Sequence, residues 1–417
     1  MSCIVINSGV QPESIQIGLA AFEGYRLSAY VTSSSLGYDH ALVLLLNRKA
    51  RFRKLSEILN RRVIKLPEKV IIRKFFVLTL ISRLFPHSIF AEKINRLTDF
   101  LLKLSISQQI PDLNPSMIFC QSQPGNPLIS AALKINSKLV LVLSSCSPKY
   151  FNEVRNRELQ CNPDWFKYFP RRKYTQSYIS RFEEQLQSCN LILVPSPHVA
   201  KSIQSYNCHL NINVVPLGFD PSLFHKRIQI DYFSNCQRID NDSPFRVIFI
   251  GQIHQRKGIG YLVRGFQNAN LPRGSTLTLV GSPIKGIKKF LTRYSFIEWV
   301  SHRSRAHLQE LLGQSDLYLS ASLTEGFSLA AIEAMSTGIP VAATSETLGD
   351  LISDKYSGFL IDAYSSEAIS ALLIRCSNNR EMLIQVGMTG QEIAANFTWV
   401  NYRQKILTLM KSLEDEI

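Results

Sequence analysis

Apolar residues in this chain fall into short, nearly unbroken blocks rather than alternating with polar ones. In the first half the blocks are residues 3–7, 27–32, 117–121, 138–143, 191–194 and 213–215. In the second they are 247–250, 276–280, 297–300, 317–320, 341–344 and 359–361. Such blocks are too short for core helices and read as strands buried on both faces. The longer stretches between them repeat apolar residues at helical spacing. Strands separated by helices predict parallel, doubly wound sheets. The alternation runs twice, and a polar stretch containing Asn241-Asp-Ser-Pro244 lies between the two runs. The predicted plan is therefore a Rossmann-like domain over 1–219, a linker over 220–244, a second Rossmann-like domain over 245–396, and a terminal helix within 397–417.

Chemistry concentrates in the second run. Glu325-Gly-Phe-Ser-Leu-Ala-Ala-Ile-Glu333 places a carboxylate on either side of a turn that opens a short helix, and Gly338 and Pro340 end that helix. A helix start reached through Gly326 presents the N–H groups near Phe327, Ser328 and Leu329 together with a positive dipole end, which suits phosphate. Glu325 and Glu333 disfavour phosphate themselves and read better as acceptors for sugar hydroxyls beside it. An ordinary loop and helix start is the competing reading of these nine residues taken alone. Upstream, the strand-like Arg246-Val-Ile-Phe-Ile250 runs into Gly251-Gln252, and Arg256-Lys257-Gly258 follows. A basic pair at the carboxyl end of a parallel strand is where doubly wound sheets bind anions. Lys257 would act as a point charge on phosphate and Arg256 as a bidentate donor.

In this order and at this separation, the two motifs resemble the retaining glycosyltransferases of family 4, which have the GT-B architecture. That family's usual signature is Gly-Arg, four residues, Lys-Gly, followed later by Glu, seven residues, Glu. Further echoes are Leu279-Val-Gly281, Asp316-Leu-Tyr-Leu-Ser-Ala-Ser322, Gly338-Ile-Pro-Val-Ala342, Ser357-Gly-Phe-Leu360 and Phe397-Thr-Trp399. The likeness runs from about Asn190 to the C-terminus and is thin before about Gln187. It implies a GT-B fold of two domains facing a cleft, with the terminal helix crossing back to the first. It also implies a nucleotide-diphosphate-sugar donor on the second domain, a glycan, lipid or small-molecule acceptor on the first, and no cofactor or metal. By the same resemblance Glu325 contacts the transferred sugar and Glu333 the ribose, while His302 and Arg303 contact the base through the backbone. Two positions depart from the pattern. Gln252 stands where the family has arginine, and Ser145-Cys-Ser-Pro148 lacks the histidine that many relatives present to the reacting sugar. The second departure keeps open a weak or inactive GT-B protein that binds a nucleotide-sugar or glycan as a partner subunit.

Composition narrows the remaining classes. The 417 residues are 45% hydrophobic and 19% charged, as in a globular protein. The eight cysteines show no metal-type spacing. Residues 3–7 read as a buried strand too short for a signal core, and no apolar run reaches membrane-spanning length. A cytoplasmic protein is expected. The net charge of +15 is uneven: residues 47–103 hold fifteen Lys and Arg against Glu57, Glu68, Glu92 and Asp99, with apolar residues interleaved. Such a stretch fits an anionic membrane surface on the cytoplasmic side, or a merely solvated basic face. Nucleic acid ranks behind both, because no recognition motif for it accompanies the charge.

Overall fold

The structure, a computed structural model, describes residues 2–7, 11–33, 35–37, 63–75, 78–79, 89–121, 123–169, 173–206, 209–224, 243–301, 305–348, 351–352 and 354–415. Two parallel sheets form its frame. In the first, β1 (Cys3–Asn7), β2 (Leu27–Thr32), β5 (Ile71–Arg73), β6 (Met117–Gln121), β7 (Lys138–Val142), β8 (Leu191–Val194) and β9 (Ile212–Val214) lie in the order β5-β2-β1-β6-β7-β8-β9. A separate pair joins β3 (Leu36–Gly37) to β4 (Val63–Ile64). The second sheet has the order β12-β11-β10-β13-β14-β15. Its strands are β10 (Arg246–Ile250), β11 (Thr276–Val280), β12 (Ile297–Val300), β13 (Leu317–Ser320), β14 (Val341–Ala343) and β15 (Phe359–Leu360). All registered pairs are parallel.

The apolar blocks become strands because helices cover both faces of each sheet, so alternate residues face different cores. Ile4, Ile6 and Ile118 enter one apolar cluster, whereas Cys3, Val5 and Phe119 enter another. The chain reverses its direction of winding between β1 and β6 in the first sheet and between β10 and β13 in the second. Crevices at the carboxyl ends of strands form at such reversals.

Two segments join the halves. The helix Pro148–Cys161 and the short helix Pro163–Phe166 follow β7, yet Phe151, Val154, Trp165, Tyr168 and Phe169 pack with Val247, Phe249, Leu277 and Leu319 of the second sheet. The helix Trp399–Asp415 lies on the first-domain helix Pro12–Glu23. There Arg403 donates to Glu23 at 3.0 Å and to Gln16 at 2.8 Å. Arg26 grips Glu414 with two parallel bonds of 2.9 and 3.0 Å. The stretch read as a linker begins with a 3₁₀ turn at Pro221–Leu223, and residues 225–242 lie outside the described set.

The hydrogen bonds from Arg26 hold the Glu414 carboxyl below its ordinary pKa. A depressed carboxylate contributes stability above its unfolded pKa and loses it as pH falls through the folded value. Glu414→Gln is expected to lower unfolding free energy by about 1 kcal/mol at pH 7. The difference from the unsubstituted protein should shrink on acidification below about pH 4. Urea unfolding of both proteins at the two pH values checks this.

Candidate active site at the junction of the sheets

Strand β10 carries the chain to Gly251, whose N–H donates to the Val280 carbonyl at 2.9 Å. Gln252 is exposed, with its Oε1 3.2 Å from His254 Nε2. A 3₁₀ turn, Gln255–Lys257, then reverses the chain. Gln255 is buried inside it, donating to Glu158 Oε1 at 2.8 Å and accepting from the Gly260 N–H at 2.9 Å. The turn closes at Gly258 with φ +70°, and a Cβ there would lie 1.9 Å from the Ala321 carbonyl oxygen, so only glycine fits. That close approach brings the turn against the loop leaving β13. The Leu323 N–H donates to the Arg256 carbonyl at 2.9 Å, and Arg256 Nη1 donates to the Thr324 carbonyl at 2.9 Å.

Side-chain charges meet across this contact. Lys257 Nζ forms an ion pair with Glu325 Oε1, while Ser322 Oγ donates to Glu325 Oε2 at 3.1 Å. The Lys257 and Glu325 side chains are 12% and 15% exposed, so water screens the pair little. Burial lowers the Lys257 pKa, the charge of Glu325 opposes that shift, and Arg256 adds to it. Lys257 is thus a desolvated cation held by one carboxylate, with the Arg256 guanidinium close enough to act on its charge.

The acidic loop continues into the helix Leu329–Ser336, with Ser328 as its N-cap accepting from the Ala331 N–H at 3.3 Å. The three amides expected to face phosphate are not equivalent. The Ser328 N–H donates to the Thr347 carbonyl at 3.1 Å, whereas Leu329, as first helical residue, has no acceptor within its own helix. Glu333 is half-buried on this helix. Glu325 and Glu333 both act on the buried Tyr318 hydroxyl, whose pKa is raised by burial first, then by those two charges, against a hydrogen bond with Ser328. The two glutamates, Ser328 and the end of β10 therefore surround one tyrosine.

The first sheet closes the other side. A Cβ on Gly326 would lie 1.8 Å from the Ser144 carbonyl oxygen, so the end of β7 touches the acidic loop. Ser196, after β8, donates to the Gly326 carbonyl at 2.7 Å, and the Cys146 thiol donates to the Glu325 carbonyl at 3.5 Å. The loop after β7 lacks histidine, but the first turn of the helix Pro197–Gln204, which follows β8, supplies His198. Its ring packs edge-on against Tyr150 at 5.1 Å, and burial lowers its pKa while Glu346 of the second domain raises it. The sequence signal for His198 is its place two residues after Ser196, at the carboxyl end of a strand. Beneath the seam Glu13 is buried, accepting from Ser144 and from Gln121 at 3.2 Å. His302 and Arg303 lie outside the described residues. Just before them, Trp299 donates to the Gly281 carbonyl at 3.0 Å with Lys288 over its ring at 3.8 Å. Among the described residues no group of three His, Cys, Asp or Glu converges as around a metal ion.

Known proteins resemble this chain in part of its sequence and in its fold. Residues 244–379 match the family model of the glycosyl transferases group 1. An uncharacterized glycosyltransferase of Methanocaldococcus jannaschii is 24% identical over 47% of this chain and 56% of its own length. The amylovoran biosynthesis glycosyltransferase AmsK of Erwinia amylovora is 23% identical over 46% of this chain and 49% of its own length. The chain thus spans about half the length of these curated relatives. Two solved structures share its fold across nearly all of both chains. HepE of Anabaena, in complex with UDP and glucose, has TM-score 0.63 and 17% identity, covering 99% of this chain and 100% of its own. Sucrose-phosphate synthase of Thermosynechococcus elongatus has TM-score 0.66 and 15% identity, covering 100% of both chains. The Lys257 turn and the Glu325 loop thus lie inside the segment, residues 244–379, that matches the group 1 glycosyl transferases, within a chain of GT-B fold.

Proposed function

We propose that this protein transfers a glycosyl group from a nucleotide-diphosphate-sugar to a hydroxyl of a glycan, lipid or small-molecule acceptor, with retention of configuration and without a bound metal. The observation that carries the reading is the desolvated Lys257–Glu325 pair with Arg256 beside it, at the winding reversal of the second sheet. A diphosphate entering there would compete with Glu325 for Lys257. Lys257 then serves the phosphate, and Glu325 is released to accept hydrogen bonds from the sugar. As the bond from the anomeric carbon to the phosphate oxygen breaks, charge grows on that oxygen. Lys257, Arg256 and the helix start at Leu329 stabilise it. The acceptor oxygen bonds to the same carbon, and its proton leaves with the departing diphosphate. The fold's similarity to a protein held with UDP and glucose makes UDP-glucose the first donor to test. The loop Ser145–Pro148, which lacks histidine, supports a second reading in which the domain binds donor without turning it over.

Lys257→Ala removes a charge-assisted contact worth about 2–3 kcal/mol, so donor-dependent kcat/KM is expected to fall by about a hundredfold. Diphosphate beside Lys257 raises the pKa that burial lowers. Donor binding should then take up a proton on the alkaline side, with affinity falling as pH rises through that window and Lys257→Ala abolishing the dependence. Calorimetric titration in buffers of different ionisation enthalpy measures it, and unchanged affinity in the variant removes the phosphate assignment.

The two glutamates should fail differently. Glu333→Gln is expected mainly to raise donor KM, by about tenfold, because its contact with the ribose is equally present before and during reaction. Glu325→Gln should mainly lower kcat, by about a hundredfold, because its contact tightens in the transition state. Steady-state nucleotide release reads both, and EDTA should leave the unsubstituted rate unchanged. Donor binding without nucleotide release from any acceptor decides for the binding-only reading.

A further inference from the structure

The helix Ile89–Ser107 carries a feature that the donor site does not use. Its inner side is anchored, with Thr98, Leu102, Lys103 and Ile106 buried. Lys103 pairs with Asp99 at 2.7 Å and donates to the Gln123 carbonyl. On the outer side Lys93, Arg96, Leu97 and Phe100 are exposed, Leu97 by 50% and Phe100 by 54%. At 100° per residue these four positions and half-buried Leu104 fall within about 100° of arc, a single stripe. Single exposed apolar residues are ordinary. Leucine and phenylalanine one turn apart, flanked by lysine and arginine on the same stripe, form an amphipathic face.

Topology fixes where that face lies. The helix leads through Ile110–Leu113 directly into β6, so it runs antiparallel to the strands of the first sheet. Lys103 reaches the carbonyl of Gln123, two residues beyond the carboxyl end of β6. Residues 93–100 precede Lys103 by about 5–15 Å of helix, and therefore stand at the rim of the carboxyl edge. Ser144 and Ser196 meet the acidic loop on this same edge.

We propose that this stripe docks the protein on an anionic lipid bilayer, Leu97 and Phe100 entering the interface and Lys93 and Arg96 meeting the headgroups. Charge complementarity selects the occupant, since the segment 47–103 bears fifteen cationic residues against four acids. Among the described residues no helix is long and apolar enough to cross a membrane, so the attachment is peripheral. The inference deepens the transferase reading and rests on it for what the docked chain does, namely take an acceptor presented at the bilayer surface. Of the other described cations, Lys65 and Lys69 are exposed, Arg73 is paired with Glu68 and Lys74 donates to Ser105 at 2.7 Å, while Arg61 and Arg62 lie outside the described residues. What sets the stripe apart is that its exposed cations share one helix face with exposed Leu97 and Phe100.

Sedimentation of the full chain with vesicles of phosphatidylglycerol and phosphatidylcholine, against phosphatidylcholine alone, tests it. The protein should pellet with the anionic vesicles and be released as salt rises. Leu97→Ser/Phe100→Ser should lower partitioning about tenfold at low salt. Lys93→Gln/Arg96→Gln should lower it by a similar factor and flatten the salt dependence. Thermal melts should match the unsubstituted protein in both variants, which separates lost docking from lost folding. Equal pelleting by the apolar variant, pelleting with neutral vesicles alone, or none with either overturns the proposal. So does retention on RNA that depends on the two cations and not on Leu97 and Phe100. Nucleotide release is read separately: variants that lose docking while turnover is absent throughout leave the surface standing and remove the transferase reading.

Discussion

The contact on which the site depends is the Lys257–Glu325 pair, because it ties together two pieces of chain on opposite sides of a winding reversal. The turn after β10 and the loop after β13 touch closely only because Gly258 lacks a side chain, a Cβ there falling 1.9 Å from the Ala321 oxygen. Once in contact, Arg256 and Leu323 bond through their backbones and the lysine has no partner but the glutamate in reach among the bonds described. Burying one charge of such a pair without the other would cost several kcal/mol, on the order of 3–5. The two loops are therefore held together at the crevice by a desolvated ion pair.

The opposing domain is held to this crevice in two ways. At the seam, Ser196 and Cys146 bind backbone carbonyls of the acidic loop, and Ser144 touches Gly326. Farther out, Trp165 packs on Gly260, where a Cβ would be 2.5 Å from the indole. Buried Glu158 accepts from Gln255 and from Tyr261, the latter at 2.9 Å. Burial raises the Glu158 pKa and those hydrogen bonds lower it. Gln255 sits in the turn that presents Lys257, so a first-half carboxylate positions a second-half cation. Each half thus has a glutamate beside its sheet's winding reversal, buried Glu13 in the first and half-buried Glu325 in the second.

The sequence already contained the frame, since blocks of Val, Ile and Leu at strand length have few other fates when helices alternate with them. Residues 27–32, 117–121, 191–194, 276–280, 297–300 and 317–320 are strands with the bounds their apolar runs predict. Other ends moved by a residue or two where the last side chain leaves the ladder, as at 212–214 and 341–343. The edge strand Ile71–Arg73 is three residues inside a basic stretch, and nothing local distinguishes it from loop. The helix at Glu333 starts at Leu329 because Ser328 serves as its cap. Least legible were the contacts between halves. Trp165, Glu158, Ser196 and His198 carry no motif, and each matters through a partner about a hundred residues or more away, which spacing cannot encode.

The excess of positive charge acts through two different physical effects. At Lys257 a cation is removed from water, so its influence is local and strong, limited by desolvation, and little altered by dissolved salt. On the helix Ile89–Ser107, Lys103 is buried against Asp99 whereas Lys93 and Arg96 are exposed, so each of those two contributes little alone, and their effect depends on number, on salt and on the apolar residues beside them. The first arrangement discriminates among ligands by fit. The second responds to the charge density of whatever faces it rather than to its shape. The two arrangements stand in different halves of the chain, Lys257 in the turn after β10 of the second sheet and the exposed stripe on the helix that leads towards β6 of the first.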